Sequence, residues 1–121
     1  MNLRAILQKY ARSRQFREFC TNTRNAYTSD LDAFLRWVVR HHPTTEITDI
    51  TCKLVQEYCI SRLEGGVAIR TMRRQVSTLR GFCNFALDDG HIQSNPLLGF
   101  PWDDVEHAQI HCMPTLGLDE A

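Results

Sequence analysis

Downstream of residue 87 the chain contains no lysine and no arginine. Residues 88–121 carry seven acids and a net charge of −7, while residues 1–87 hold all 14 basic residues against seven acids, a net charge of +7. The formal net charge of zero is therefore an average over two unlike parts. Long apolar runs are also missing. None approaches the roughly 20 residues a bilayer-spanning helix needs, and the N-terminus lacks the apolar stretch of a secretory signal. Residues 1–17 are basic and acid-free; a transit peptide shares that pattern, but an ordinary basic helix explains it. Pairs of the CxxC type are absent, and the five cysteines (Cys20, Cys52, Cys59, Cys83, Cys112) are an odd number. That usage fits a reducing compartment and thiols acting as small hydrophobes; the expected location is cytoplasmic. No glycine-rich phosphate loop occurs, and no Ser/His/Asp or Cys/His arrangement stands in a recognisable context. A stand-alone enzyme is disfavoured, and no catalytic residue or cofactor is assigned. His107, His111 and Cys112 fall one helical turn apart, but three candidates in the acidic tail are read as coincidence rather than a metal site.

What is present is helical periodicity in a chain of one domain's length, 121 residues. Leu3, Ile6, Leu7 and Tyr10 form an apolar stripe that predicts a first helix over 3–17. Cys20 to Asn22 read as a polar hinge, with Thr21 or Asn22 as cap. Tyr27, Leu31, Phe34, Leu35 and Val38 predict a second helix over 23–41, ended by Pro43. A third, over 51–64, is capped by Thr51, turns Leu54, Val55, Tyr58, Cys59 and Leu63 inward, and closes at Gly65-Gly66. A fourth spans 68–88 and ends at Asp88-Asp89-Gly90. Asn95-Pro96 predicts a cap and a brief helical turn. Beyond Phe100, prolines, acids and weak periodicity read as an extended linker. Strand signals and internal repeats are absent.

The fourth helix, IRTMRRQVSTLRGFCNFA, holds four arginines and no acid. On a wheel of about 100° per residue, Ile69, Met72, Val76, Leu79, Cys83 and Ala86 share one face. Arg70, Arg73, Arg74, Ser77, Arg80, Gly81 and Asn84 share the opposite face. A solvated helix face normally mixes signs, because acid–base pairs one turn apart stabilise the helix. Four arginines without an acid forgo that gain, and the planar guanidinium suits phosphate or guanine. The face points to a polyanionic partner, with Ser77 and Asn84 small enough to come near base edges. Arg70 and Thr71 lie in the first turn, where free N–H groups favour an anion. Thr23, Arg24, Asn25 and Ser29 give the second helix a similar start, where Thr23 is either a contact or a simple cap.

The order TRNAYTSDLDAFLRWV, then ITDITCKLVQEYCISRLEGGVAIRTMRRQVSTLRGFCNFALDDGHIQSNPL, resembles the N-terminal core-binding (SAM-like) domain of tyrosine recombinases, the phage-integrase family. The match covers roughly residues 20–100, and the extra first helix is similar to Cre-type members. The resemblance implies an all-α fold, a compact bundle of four main helices plus a short fifth helical turn. It divides the chain into a helical DNA-binding domain, 1–100, and an acidic linker, 101–121, toward a catalytic domain absent from this sequence. It also implies half of a clamp on duplex DNA, with the second and fourth helices in the major groove, serving integration or recombination. The DNA-contacting residues it implies are Thr23, Arg24, Ala26, Ser29, Arg70, Thr71 and Arg74; the charge argument adds Arg73, Ser77 and Arg80. Ala26 offers only apolar contact, as to a thymine methyl group. Residues 3–17 and the turn after Asn95 are expected to meet neighbouring protomers on DNA; no membrane partner is expected. The family's nucleophilic tyrosine belongs to a second domain; here Tyr10, Tyr27 and Tyr58 are explained by core packing. The chain is thus expected to bind DNA without cutting it, the full-length parent being the strand-breaking enzyme. The alternative is a helical protein-interaction domain whose basic face meets an acidic partner. The acidic tail is either a solvated linker or a segment that folds over the arginines.

Overall fold

The computed structural model describes residues 2–43, 46–103 and 105. Among them are five α-helices, α1 (Leu3–Ala11), α2 (Arg14–Arg17), α3 (Thr21–His41), α4 (Cys52–Glu64) and α5 (Ile69–Asp88), with a 3-10 turn at Ile47–Asp49 and no strand. The all-α expectation holds.

The expected first helix is broken in two. The Ser13 hydroxyl donates to the Tyr10 carbonyl at 2.6 Å and accepts from the Phe16 amide at 3.2 Å. A serine side chain that bonds its own neighbourhood ends one helix and starts another. The break lets Tyr10 and Phe16 meet edge-on at 5.0 Å, with Tyr10 also on Phe82 and Phe85 of α5. α3 begins two residues earlier than the pattern indicates. Cys20 holds the N-cap position, so neither Thr21 nor Asn22 caps it.

Local signals elsewhere act as their chemistry dictates. Thr51 accepts from the Leu54 amide at 3.1 Å and starts α4. At its end Gly66 takes φ 99°, and the Val67 and Gly66 amides return to the carbonyls of Arg62 and Leu63. Gly90, at φ 83°, closes α5 in the same way, with His91 and Gly90 bonded to Ala86 and Leu87. Both are glycine-dependent ends that use up otherwise orphaned carbonyls.

α5 is the central element and packs against α1, α3 and α4. Its buried arc is wider than the apolar pattern indicates, since Gln75, Thr78, Phe82 and Phe85 join Met72, Val76, Leu79, Cys83 and Ala86. The two polar members have partners: Gln75 accepts the Tyr58 hydroxyl at 2.7 Å, and Thr78 donates to Asp30 at 2.9 Å. α3 and α4 join where Phe34 and Trp37 pack on Tyr58 and the Trp37 indole donates to Ser61. The chain after Phe100 does not leave the body at once. Trp102 stacks on Phe100 at 4.8 Å, and Val105 is fully buried in the core.

Candidate nucleic-acid interface

The outward arc of α5, which carries no acid between Ile69 and Ala86 and ends at the exposed Asp88, presents Arg70, Arg73, Arg74, Ser77 and Asn84 as exposed residues, with Arg80 and Gly81 half-buried. At its centre Arg70 and Ser77 face solvent. Its two flanks are covered by different elements.

On the α3 flank, Arg74 and Thr78 stand one turn apart and both reach Asp30. Arg74 Nη2 donates to Asp30 Oδ1 at 2.6 Å and Nε to Oδ2 at 3.3 Å, while the Thr78 hydroxyl donates to Oδ2 at 2.9 Å. The Asp30 hydrogen bonds and charge hold the Arg74 guanidinium above its ordinary pKa. On the other flank, Arg80 Nε donates to the Leu97 carbonyl at 3.3 Å, and Arg73 lies over the Trp102 ring at 4.9 Å. Asn95 pins the turn there. Its amide nitrogen donates to the Arg80 carbonyl at 3.1 Å and to Asn84 Oδ1 at 2.7 Å, and its oxygen accepts from the Leu97 amide. The cap expected of Asn95 is therefore also a tether to α5.

The first turns of α3 carry the second set of candidates. Thr23 lies inside the helix and does not cap it; its hydroxyl is 3.1 Å from the Cys20 thiol. That bond holds the exposed thiol below its usual pKa. Arg24 Nη2 donates to Thr21 at 3.2 Å, and its buried Nε has no hydrogen-bond partner among the described residues. Ala26 is half-buried and Ser29 exposed. Every sequence-derived candidate thus lies on α3 or α5. The ion pair Asp30–Arg74 joins the two helices directly, and Asp30 was not singled out by the sequence; its place amid the apolar positions Tyr27, Leu31 and Phe34 was the available signal.

Burial pushes the Cys59 and Cys83 thiols up to about 12, as it does the Tyr58 hydroxyl, and also raises Tyr10. Among the described residues no His/Cys/Asp/Glu cluster fits a metal, and His107, His111 and Cys112 lie outside them. No helix of the described residues is long and apolar enough to cross a membrane.

Comparison with known proteins agrees with this architecture. The sequence model of the phage integrase N-terminal SAM-like domain matches residues 3–90. Tyrosine recombinase XerD of Staphylococcus aureus (strain COL) is 27% identical over 95 residues, 78% of this chain and 32% of the relative. Tyrosine recombinase XerD of Pseudomonas aeruginosa is 36% identical over 77 residues, 64% of this chain and 25% of the relative. The chain thus spans about a third or less of the length of these curated relatives. No solved structure matches it. With 3–90 covered by the family's model and an all-helical bundle beneath it, the chain belongs to the phage integrase family, as its N-terminal SAM-like domain.

Proposed function

We propose that this chain is the DNA-binding N-terminal domain of a site-specific tyrosine recombinase, gripping duplex DNA for integration or recombination through α3 and α5 in the major groove. The observation that carries the reading is the arginine-rich outward arc of α5, acid-free from Ile69 to Ala86 with Arg70 and Ser77 exposed, on a helix packed against α3, whose N-terminal half carries Thr23, Arg24, Ala26 and Ser29. A major groove is wide enough to admit a helix. In this reading Arg70 and Thr71 take a phosphate at the helix start. Arg73 and Arg80 position the backbone, while Ser29 and Ser77 approach base edges. The relatives are tyrosine recombinases; strand breakage and rejoining are assigned to the parent protein, and this domain contributes the grip. Residues 3–17 and the turn after Asn95, where Leu98 is 66% exposed, are the surfaces proposed to meet neighbouring protomers.

The test is fluorescence anisotropy of a labelled duplex across a salt series, beside an Arg70/Arg73/Arg80→Ala variant. Each arginine that neutralises a phosphate steepens the plot of log K against log salt by about 0.9. Salt-sensitive binding that collapses in the variant supports the reading. A folded chain that ignores duplex DNA at low salt, yet binds an acidic protein, would establish the protein-interaction alternative.

A further inference from the structure

Among the described residues Asp30 is the only charged side chain that is buried, at 2% exposure. A buried carboxylate loses its hydration and is tolerated only with close, hydrogen-bonded partners. Its side-chain partners all come from α5: both donors of the Arg74 fork and the Thr78 hydroxyl. The dependence runs one way. The Asp30 side chain is 1% exposed and that of Arg74 is 54% exposed, so water can solvate the arginine without Asp30, while Asp30 has no such recourse. The geometry also matters. The two-pronged contact occupies the Nε/Nη2 edge of the guanidinium, one of the two edges that can take a phosphate or a guanine in bidentate fashion, and sets a carboxylate charge against the cation. Finally, Ala26 lies one helical turn before Asp30, and Arg70 one turn before Arg74. The ion pair therefore sits one turn behind candidate contacts on both helices.

We propose that Asp30 is a positioning residue of the nucleic-acid interface: it withholds the Arg74 fork from phosphate and fixes α3 against α5, so that both helices meet a duplex in one register. This rests on the DNA-binding reading above. Arg74 then takes no part in counterion release, although it is half-exposed on the most basic helix of the chain. Removing the Asp30 charge converts Arg74 into an added, sequence-indifferent phosphate contact.

The experiment measures anisotropy of a mixed-sequence labelled duplex across a salt series for the unmodified chain, Arg74→Gln, Asp30→Asn and the double variant. Glutamine keeps an amide donor toward Asp30 and removes the charge. Asparagine keeps an acceptor for Thr78 and turns an amide toward Arg74. The expected result is an unchanged slope for Arg74→Gln and a slope steeper by about 0.9 for Asp30→Asn. That increment is lost again in the double variant, a pattern that a merely stabilising ion pair does not produce. A slope shallower by about 0.9 in Arg74→Gln overturns the proposal, because Arg74 would then already contact phosphate. An unchanged slope in a cooperatively melting Asp30→Asn chain overturns it too. If Asp30→Asn does not fold, the Arg74→Gln slope decides alone. Absence of salt-dependent binding by the unmodified chain removes the DNA reading and this proposal together, whereas normal binding with a shallower Arg74→Gln slope removes this proposal only.

Discussion

The two flanks of α5's outward arc hold their arginines by opposite means. Toward α3, Arg74 meets the buried carboxylate of Asp30; toward the turn after Asn95, Arg80 meets a neutral carbonyl, that of Leu97. Both contacts order a long, flexible side chain. Only the first adds an opposite charge beside the guanidinium, and only the first involves a group that cannot be rehydrated in place. Arginines on one face of one helix can therefore differ in the groups that hold them. On the α3 flank Arg74 is bound to a buried opposite charge, and on the other flank Arg80 is held by a neutral carbonyl.

The largest effect that can break this comparison is on stability. Arg74→Ala leaves the Asp30 carboxylate buried without its ion-pair partner, and is expected to cost about 2 kcal/mol in chemical denaturation, less than for a fully buried pair because Arg74 is half-exposed. Arg80→Ala, which loses one long hydrogen bond to a neutral acceptor, should stay below about 1 kcal/mol. Equal losses would show that the flanks are alike. Next comes Asn95→Ala, which removes two donated bonds from the turn to α5 and one accepted bond within the turn; a loss of about 1–2 kcal/mol is expected. Trp102→Ala sharpens the picture of the same flank. The half-buried ring lies beneath Arg73 and edge-on to Phe100; the cation–π contact contributes about 0.5–1 kcal/mol and the lost packing adds to it, so the fold should persist with a lower melting temperature.

A smaller, pH-dependent effect lies at the far end of α5. Lys9, and secondarily His91, hold the Asp89 carboxyl below its usual range. A depressed carboxyl stabilises the fold above its unfolded pKa, and the contribution is lost as pH falls through the folded value. Lys9→Met should therefore match the unmodified chain less well at neutral pH and converge with it below about pH 4, in urea melts run across the acid range. The smallest effect concerns thiols. Iodoacetamide should label Cys20 well before Cys59 and Cys83, whose burial keeps them protonated; equal rates would mean that the core opens on the labelling timescale.

Much of the fold was legible because its determinants are local. Thr51, Gly66 and Gly90 act on backbone groups three residues away, so the sequence window around each contains the whole interaction, whereas Asn95 adds to its local bond with Leu97 two bonds that reach α5. The same is true of the outward arc of α5, since wheel position follows from helical pitch alone. Ser13 was one local feature missed, because a serine that ends a helix and one that merely sits in it look alike until its hydroxyl chooses a partner; the start of α3 behind Cys20 was another. Thr78 and Gln75 were missed for a different reason. Both are polar at positions that face inward, and only their partners, Asp30 and Tyr58, explain why burial is tolerated.

The sequence by itself determined most of the helices, the ends of α4 and α5, the acid-free run of arginines from Ile69 to Ala86 and the opposed charges of the two parts of the chain, all properties of neighbours along the backbone. Only the tertiary structure decided which partners Arg74 and Arg80 on that face have. Arg74 and Asp30 are 44 residues apart, and Arg80 and Leu97 are 17 apart. No periodicity within one helix carries that information, because a guanidinium's partner is set by how helices pack, and packing is fixed by apolar side chains that belong to other segments.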